Sequence, residues 1–231
     1  MGTVRLQSIL RYSTAVVKPS ATRSYDSPLR REQASRTRAA VLEAARALFL
    51  DQGYAGTTIR EVATSAGVSP ETVYSVFGNK RAILSALLDV AIAGDDEPVP
   101  IIERAWVDEL RAAPRIRTRL RILAENGARI LERRAPIDAL LRSAADADPA
   151  IARMRDEAVG RRFEGQRALL RLVIGDESER LRQGLTEAEA ADILFAVGSP
   201  ETWHALVIHR GWTHAAFADW YAETLERQLL R

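Results

Sequence analysis

Between Thr57 and Lys80 the chain reads TTIREVATSAGVSPETVYSVFGNK, and its polar side chains are suited to holding an anion or a base edge rather than to breaking a bond. Thr58 sets a hydroxyl beside the free amides of a helix start, Tyr74 carries a hydroxyl on a stiff ring, and Lys80 is a cation at the head of another helix. Each can donate to a phosphate oxygen. Pro70, Glu71, Thr72, Tyr74 and Ser75 fall on the outer side of a short helix, while Val62, Val68 and Val73 can turn to a common core.

Other chemistry finds little support. There is no glycine-rich phosphate loop, no nucleophile elbow and no cysteine, so disulfides, thiolate metal sites and thiol nucleophiles are excluded. His204, His209 and His214 are spaced by five, which does not place all three on one helical face, and Gly211 interrupts them. They are expected to be surface or capping histidines, with no metal site. DADP, from Asp146 to Pro149, reads as a helix break and cap rather than a cation loop. Neither a reaction nor a cofactor is expected.

The elements that must position these side chains are helices. Alanine and leucine recur along the chain, aromatics make up only 6%, and no run alternates long enough for a strand. Ser35 can cap a first helix running to about Gln52, with Val41, Leu42, Ala45, Leu48 and Phe49 on one face and Gly53 as its stop. Thr58 and Glu61 form a capping box for a second helix that ends at Gly67. Ser69 caps a third, with Pro70 at its first position and Glu71 beside its positive end. Asn79 caps a fourth, to about Ala93.

Longer helices are expected over roughly 101 to 112, 115 to 134, 136 to 145, 149 to 174, 187 to 209 and 213 to 230. Pro98 and Pro100 mark a boundary near residue 95. The fold is therefore read as all-α in three parts: a basic extension over 1–34, a helix-turn-helix domain over 35–94, and a second helical domain over 95–231, to which the resemblance given below assigns effector binding and dimerisation.

Two-turn helices bury little apolar surface, so the second and third need helices one and four to hold them. Ala63 is small where they would cross and Gly67 sits in their turn, an arrangement that lets the later helix enter a major groove. Three packed helices without a ligand would show the same spacing.

Charge is uneven. Residues 1–34 carry a net +4 and residues 94–231 a net −3, placing the basic excess where a polyanion would be met. A solvated basic tail accounts for the skew as well. No apolar run nears the roughly 18 residues of a membrane helix, so a soluble, cytoplasmic protein without membrane association is expected.

The residues AARALFLDQGYAGTTIREVATSAGVSPETVYSVFGNKRAILSALLD resemble the DNA-binding domain of the TetR/AcrR family of bacterial transcriptional regulators, without a gap over residues 37 to 90. The segment from GLTEAEAADILF onward is similar to the C-terminal region of one branch of that family. The resemblance implies a homodimer whose recognition helices meet successive major grooves of a palindromic double-stranded DNA operator. It further implies a ligand pocket in each C-terminal domain whose occupation releases the DNA, usually ending repression. It makes Arg60 a candidate base or phosphate contact, places Ser69, Pro70, Glu71, Thr72 and Ser75 at the reading helix, and puts Thr58, Tyr74 and Lys80 at phosphates. Val76 stands where many relatives have His or Tyr, and reads either as core or as a partner for a thymine methyl. Glu71 either accepts from a cytosine amino group or serves the helix end.

Farther along, Trp106, Ile122, Leu123, Asn126, Ile130, Leu140, Phe163, Gln166, Leu170 and Trp203 form a mainly apolar set. They can line a pocket for a small hydrophobic effector, or be ordinary bundle core. The last two predicted helices carry apolar faces through Val207, Phe217, Trp220, Tyr221 and Leu225. These can be internal core, or, as the resemblance implies, pack against a second copy. A ligand-controlled repressor is one reading; a DNA-binding or protein-interaction dimer without small-molecule control is the other.

Overall fold

The computed structural model describes residues 28–177 and 180–231. They form helices α1 (Pro28–Gly56), α2 (Ile59–Ser65), α3 (Pro70–Phe77), α4 (Lys80–Ala93), α5 (Ala105–Ala112), α6 (Ile116–Ala145), α7 (Pro149–Ile174), α8 (Glu187–Val197), α9 (Pro200–Trp203) and α10 (His214–Leu229). The one β-type pairing among them is an isolated bridge, Leu181 with Leu230. The chain is all-α, with an N-terminal helix-turn-helix and a larger helical domain behind it.

Local signals account for the first four helices. The α1 face carrying Val41, Leu42, Ala45 and Phe49 is buried, and Gly53, at φ 78° and ψ 164°, breaks the helix before its last turn. The Thr58–Glu61 capping box is formed at α2. Ser69 accepts from the Thr72 amide at α3, and Asn79 from the Ala82 amide at α4. Helix α1 begins at Pro28, seven residues before Ser35, because Pro suits a helix start and Glu32 and Arg36 pair one turn apart at 2.6 Å. Of the expected basic extension, residues 1–27 lie outside the described residues, and 28–34 are helical.

Helix α6 is the axis of the molecule, packing against α1, α4, α5, α7, α9 and α10. The break expected before Pro136 does not occur: α6 runs through it. Proline removes one helical hydrogen bond, but a buried bidentate pair spans the site, Arg134 Nε and Nη2 donating to Asp138 Oδ2 and Oδ1 at 2.7 and 2.9 Å. That pair needs the helical i,i+4 spacing on both sides of the proline.

The single helix expected over 187–209 is instead three pieces. Helix α8 stops before Gly198, Ser199 caps α9 through the Thr202 amide, and residues 204–209 form a π-helical turn. Residues 199–202 repeat the SPET that opens α3, with serine as cap and proline at the first position in both places.

Candidate nucleic-acid interface and interior cavity

The α2–α3 turn closes with the Val68 amide donating to the Ala63 carbonyl at 3.0 Å, while Gly67 takes φ 68°, a region that favours glycine. Val62, Ala63, Val73 and Phe77 are buried against α1 and α4. On the far side Glu71, Tyr74 and Ser75 are exposed, with Pro70 and Thr72 half-buried. Tyr74 is 53% exposed, a high value for an aromatic side chain. Arg60 is exposed on α2, and Val76 is half-buried against the core.

Several predicted contact residues also have internal partners. The Thr58 hydroxyl donates to Glu61 Oε2 at 2.8 Å and accepts from the Glu61 amide at 3.2 Å, which holds the Glu61 carboxyl below its usual range. Glu71 is likewise held low, first by its own backbone amide and then by the Ser69 hydroxyl, as a carboxylate serving the helix end would be. Lys80 Nζ donates to the Tyr54 and Thr57 carbonyls at 2.7 and 2.9 Å and lies 4.2 Å from the Tyr54 ring centroid. It ties the end of α1 to the start of α4 and keeps one proton for any other acceptor.

A cavity of about 80 Å³ lies in the larger domain, walled by Ile92, Ile101, Trp106, Leu123, Ile130 and Leu131 on its apolar side. Its polar members are Arg134, Arg162, Gln166 and Tyr221, and Gly127, Gly165 and Gly198 also border it. By the same measure one water needs about 10–15 Å³, so there is room for several. A Cβ at Gly127 would come within 2.9 Å of the Tyr221 ring, and one at Gly198 would overlap its hydroxyl. These glycines let the phenol reach the cavity.

Residues 41–87 match the family model for bacterial regulatory proteins of the tetR family. By this segment the chain is similar to the tetR family of bacterial regulatory proteins. Over 59 residues it is 42% identical to the transcriptional regulator TtgR of Pseudomonas putida, covering 26% of this chain and 28% of that one. Over 73 residues it is 37% identical to the transcriptional repressor Rv3405c of Mycobacterium tuberculosis, covering 29% and 39%. The chain thus matches well under half the length of these curated relatives. Among solved structures, FadR of Bacillus subtilis in complex with stearoyl-CoA superposes with a TM-score of 0.63 at 19% identity, over 83% of this chain and 97% of that one; at this identity the likeness is one of fold.

Within this TetR-family fold, Trp106 and Gln166 of the expected pocket line the cavity. Leu170 and Trp203 are buried in the core away from it, and Leu140 and Phe163 pack against that core. Asn126 turns back to donate to the Ile122 carbonyl at 2.9 Å. Arg134, Arg162 and Tyr221 were not anticipated. A signal was present in Gly127, a glycine inside a helical run that marks close packing, here against the Tyr221 ring.

The dimer residues of the TetR-family expectation divide in two. Phe217, Tyr221 and Leu225 are a correction: they are buried in the protomer's own core, Phe217 lying 4.8 Å from the Trp203 ring, and cannot meet a second copy. Val207 and Trp220 are half-buried, and neighbouring Ile208 is 58% exposed. Trp212, Ala216 and Trp220 edge an outer groove of α10.

Among the described residues, no group of three or more His, Cys, Asp or Glu is placed to hold a metal ion, and no helix is long and apolar enough to cross a membrane. The His204 and His209 rings do meet, 4.5 Å apart at their centroids, because a π turn brings i and i+5 together.

Proposed function

We propose that this chain is a dimeric DNA-binding transcriptional regulator of the bacterial cytoplasm, a repressor released from a palindromic operator when a small molecule enters the cavity. Residues 28–94 are its reading head and 95–231 its effector and dimerisation domain. Helix α3 lies in the major groove: Pro70, Glu71, Thr72 and Ser75 face the bases, Arg60 reaches a base or a phosphate from α2, and Thr58, Tyr74 and Lys80 meet the phosphates. Val207, Ile208 and Trp220 meet a second copy, and a two-fold dimer suits half-sites about 34–36 Å apart.

One observation carries this reading: Ile92, in the last turn of α4, walls the cavity, and α4 packs against α3, the helix that exposes Glu71, Tyr74 and Ser75. A ligand that displaced Ile92 would thereby move the reading helix. The second reading, a DNA-binding dimer without small-molecule control, draws on the small size of the cavity, about 80 Å³, against roughly 300–1,000 Å³ for ligand pockets in general.

The test is retention of fragmented genomic DNA by the purified full chain at near-physiological salt, followed by sequencing. Enrichment of an inverted repeat is expected. Retention without sequence preference would remove the regulator reading.

A further inference from the structure

Two guanidinium groups border the cavity, and they are treated differently. Arg134 has its Nε–Nη2 edge filled by Asp138. Arg162 uses only Nη1, donating to the Phe195 and Gly198 carbonyls at 3.1 and 3.3 Å. Among the described residues it makes no ion pair, and its Nε and Nη2 meet no acceptor.

The ring face of Phe195, 3.7 Å from its Cζ, and two carbonyls at the end of α8 offset part of the charge. Arg162 is half-buried, and a cation withdrawn from water in this way is normally paired. Burial, and next the charge of Arg134, pull the Arg162 pKa down to about 10, with Glu201, Asp138 and Tyr221 opposing. It remains charged at neutral pH.

Beside it, Gln166 Nε2 donates to the Gly198 carbonyl at 3.2 Å, while Gln166 Oε1 is buried with no hydrogen-bond partner. An orphan acceptor of this kind asks for a donor. The cavity is therefore bordered by a cation whose Nε–Nη2 edge has no acceptor, by an unmet acceptor and by apolar walls.

We propose that the cavity takes a small organic monoanion: an apolar body against Ile92, Ile101, Trp106 and Ile130, a carboxylate on the Nε–Nη2 edge of Arg162, and one hydroxyl proton given to Gln166 Oε1. This rests on reading the cavity as a ligand site. Bidentate capture of a carboxylate is what the planar guanidinium does best.

Calorimetric titration of the full chain with 4-hydroxybenzoate, benzoate, methyl benzoate and benzylamine tests it, with tryptophan emission, compared with that of Trp106→Phe, as a second readout. The two acids are expected to bind, 4-hydroxybenzoate the tighter, and the ester and amine at least about tenfold more weakly. Arg162→Gln should weaken the acids about ten- to a hundredfold and leave the ester unchanged. Arg162→Lys, which keeps the charge, guards against a folding defect and should retain part of the affinity. Gln166→Met should make the two acids equal. Tighter binding of the ester or the amine than of either acid would overturn the monoanion and leave the ligand site standing. Heat-silent titrations with all four, and unchanged emission, would overturn both.

Discussion

Arg133 on α6 donates through Nε to the carbonyl of Ala91 at 3.0 Å, and through Nη2 to that of Ile92 at 3.3 Å. An arginine of the central helix thus caps the last turn of α4, at the cavity-wall residue Ile92 and two residues before Gly94, where α4 ends. The last carbonyls of a helix have no partner of their own, so this contact couples the reading head to the domain behind it. Arg133→Met should cost about 1–3 kcal/mol of stability. In hydrogen exchange, protection should fall in the last turn of α4 and remain in α3. Equal loss in both helices would show general destabilisation instead of a coupling contact.

Tyr74 tests the reading face with one atom. It is 53% exposed and the substitution removes only the hydroxyl, so Tyr74→Phe should leave the melting temperature unchanged. Affinity should fall by about 1 kcal/mol on every duplex tried, as for one lost hydrogen bond. An unchanged affinity would move the hydroxyl off the phosphates.

Lys80 divides between two duties. Removing it in Lys80→Met leaves the Tyr54 and Thr57 carbonyls without their donor, and the melting temperature should drop by several degrees. If its remaining proton also meets a phosphate, the slope of log affinity against log salt should shrink by about one. A stability loss with an unchanged slope would confine Lys80 to the α1–α4 join.

Asp89 sets a pH dependence. Burial raises its pKa to about 6, against the opposing charges of Arg161 and Arg38 and with a small push from Asp96. An unfolded aspartate titrates near 4, so between about pH 4 and 6 the folded chain holds a proton that the unfolded chain has lost. Stability from this group therefore falls as pH rises through that window and is level above it. Asp89→Asn should melt higher than the parent at pH 7.5, by up to about 3 kcal/mol of stability, with the gap closing toward pH 4. A gap independent of pH would contradict the assignment.

Helices α2, α3 and α4 were legible because each carries its own punctuation, a serine, threonine or asparagine cap before it and a glycine after it, as with Ser69 and Gly78 around α3; the start of α1 was not, since that helix begins at Pro28 and runs through Ser35. Such signals act over four residues and need no tertiary partner. Pro136 misled because its local penalty is overridden by packing along α6 and by the Arg134–Asp138 pair. The second SPET, at 199–202, held the same information as the first and divides what the apolar pattern alone joins into one helix. The cavity was half legible. Trp106 and Gln166 stood out by type, whereas Arg162 becomes informative only once its Nε–Nη2 edge is seen to lack the carboxylate that Arg134 has.

The α10 face is the clearest case of periodicity failing to choose a partner. Phe217, Tyr221 and Leu225 repeat at helical spacing, which says that a face is buried and not by what. Phe217→Arg should therefore unfold the protomer, with a loss beyond about 3 kcal/mol. Ile208→Arg should leave it folded and yield monomers in sedimentation. Folded monomers from Phe217→Arg would reverse the assignment of the two faces.

The central claim is that α3 reads base sequence. It is tested most directly by anisotropy of the full chain on a duplex recovered from genomic selection and on a shuffled duplex of equal length, at one salt concentration. The account predicts that the recovered duplex binds at least about a thousandfold more tightly, and that Thr72→Ala with Glu71→Ala narrows that ratio while leaving shuffled binding in place. Equal affinity of the unaltered chain for both duplexes would contradict it.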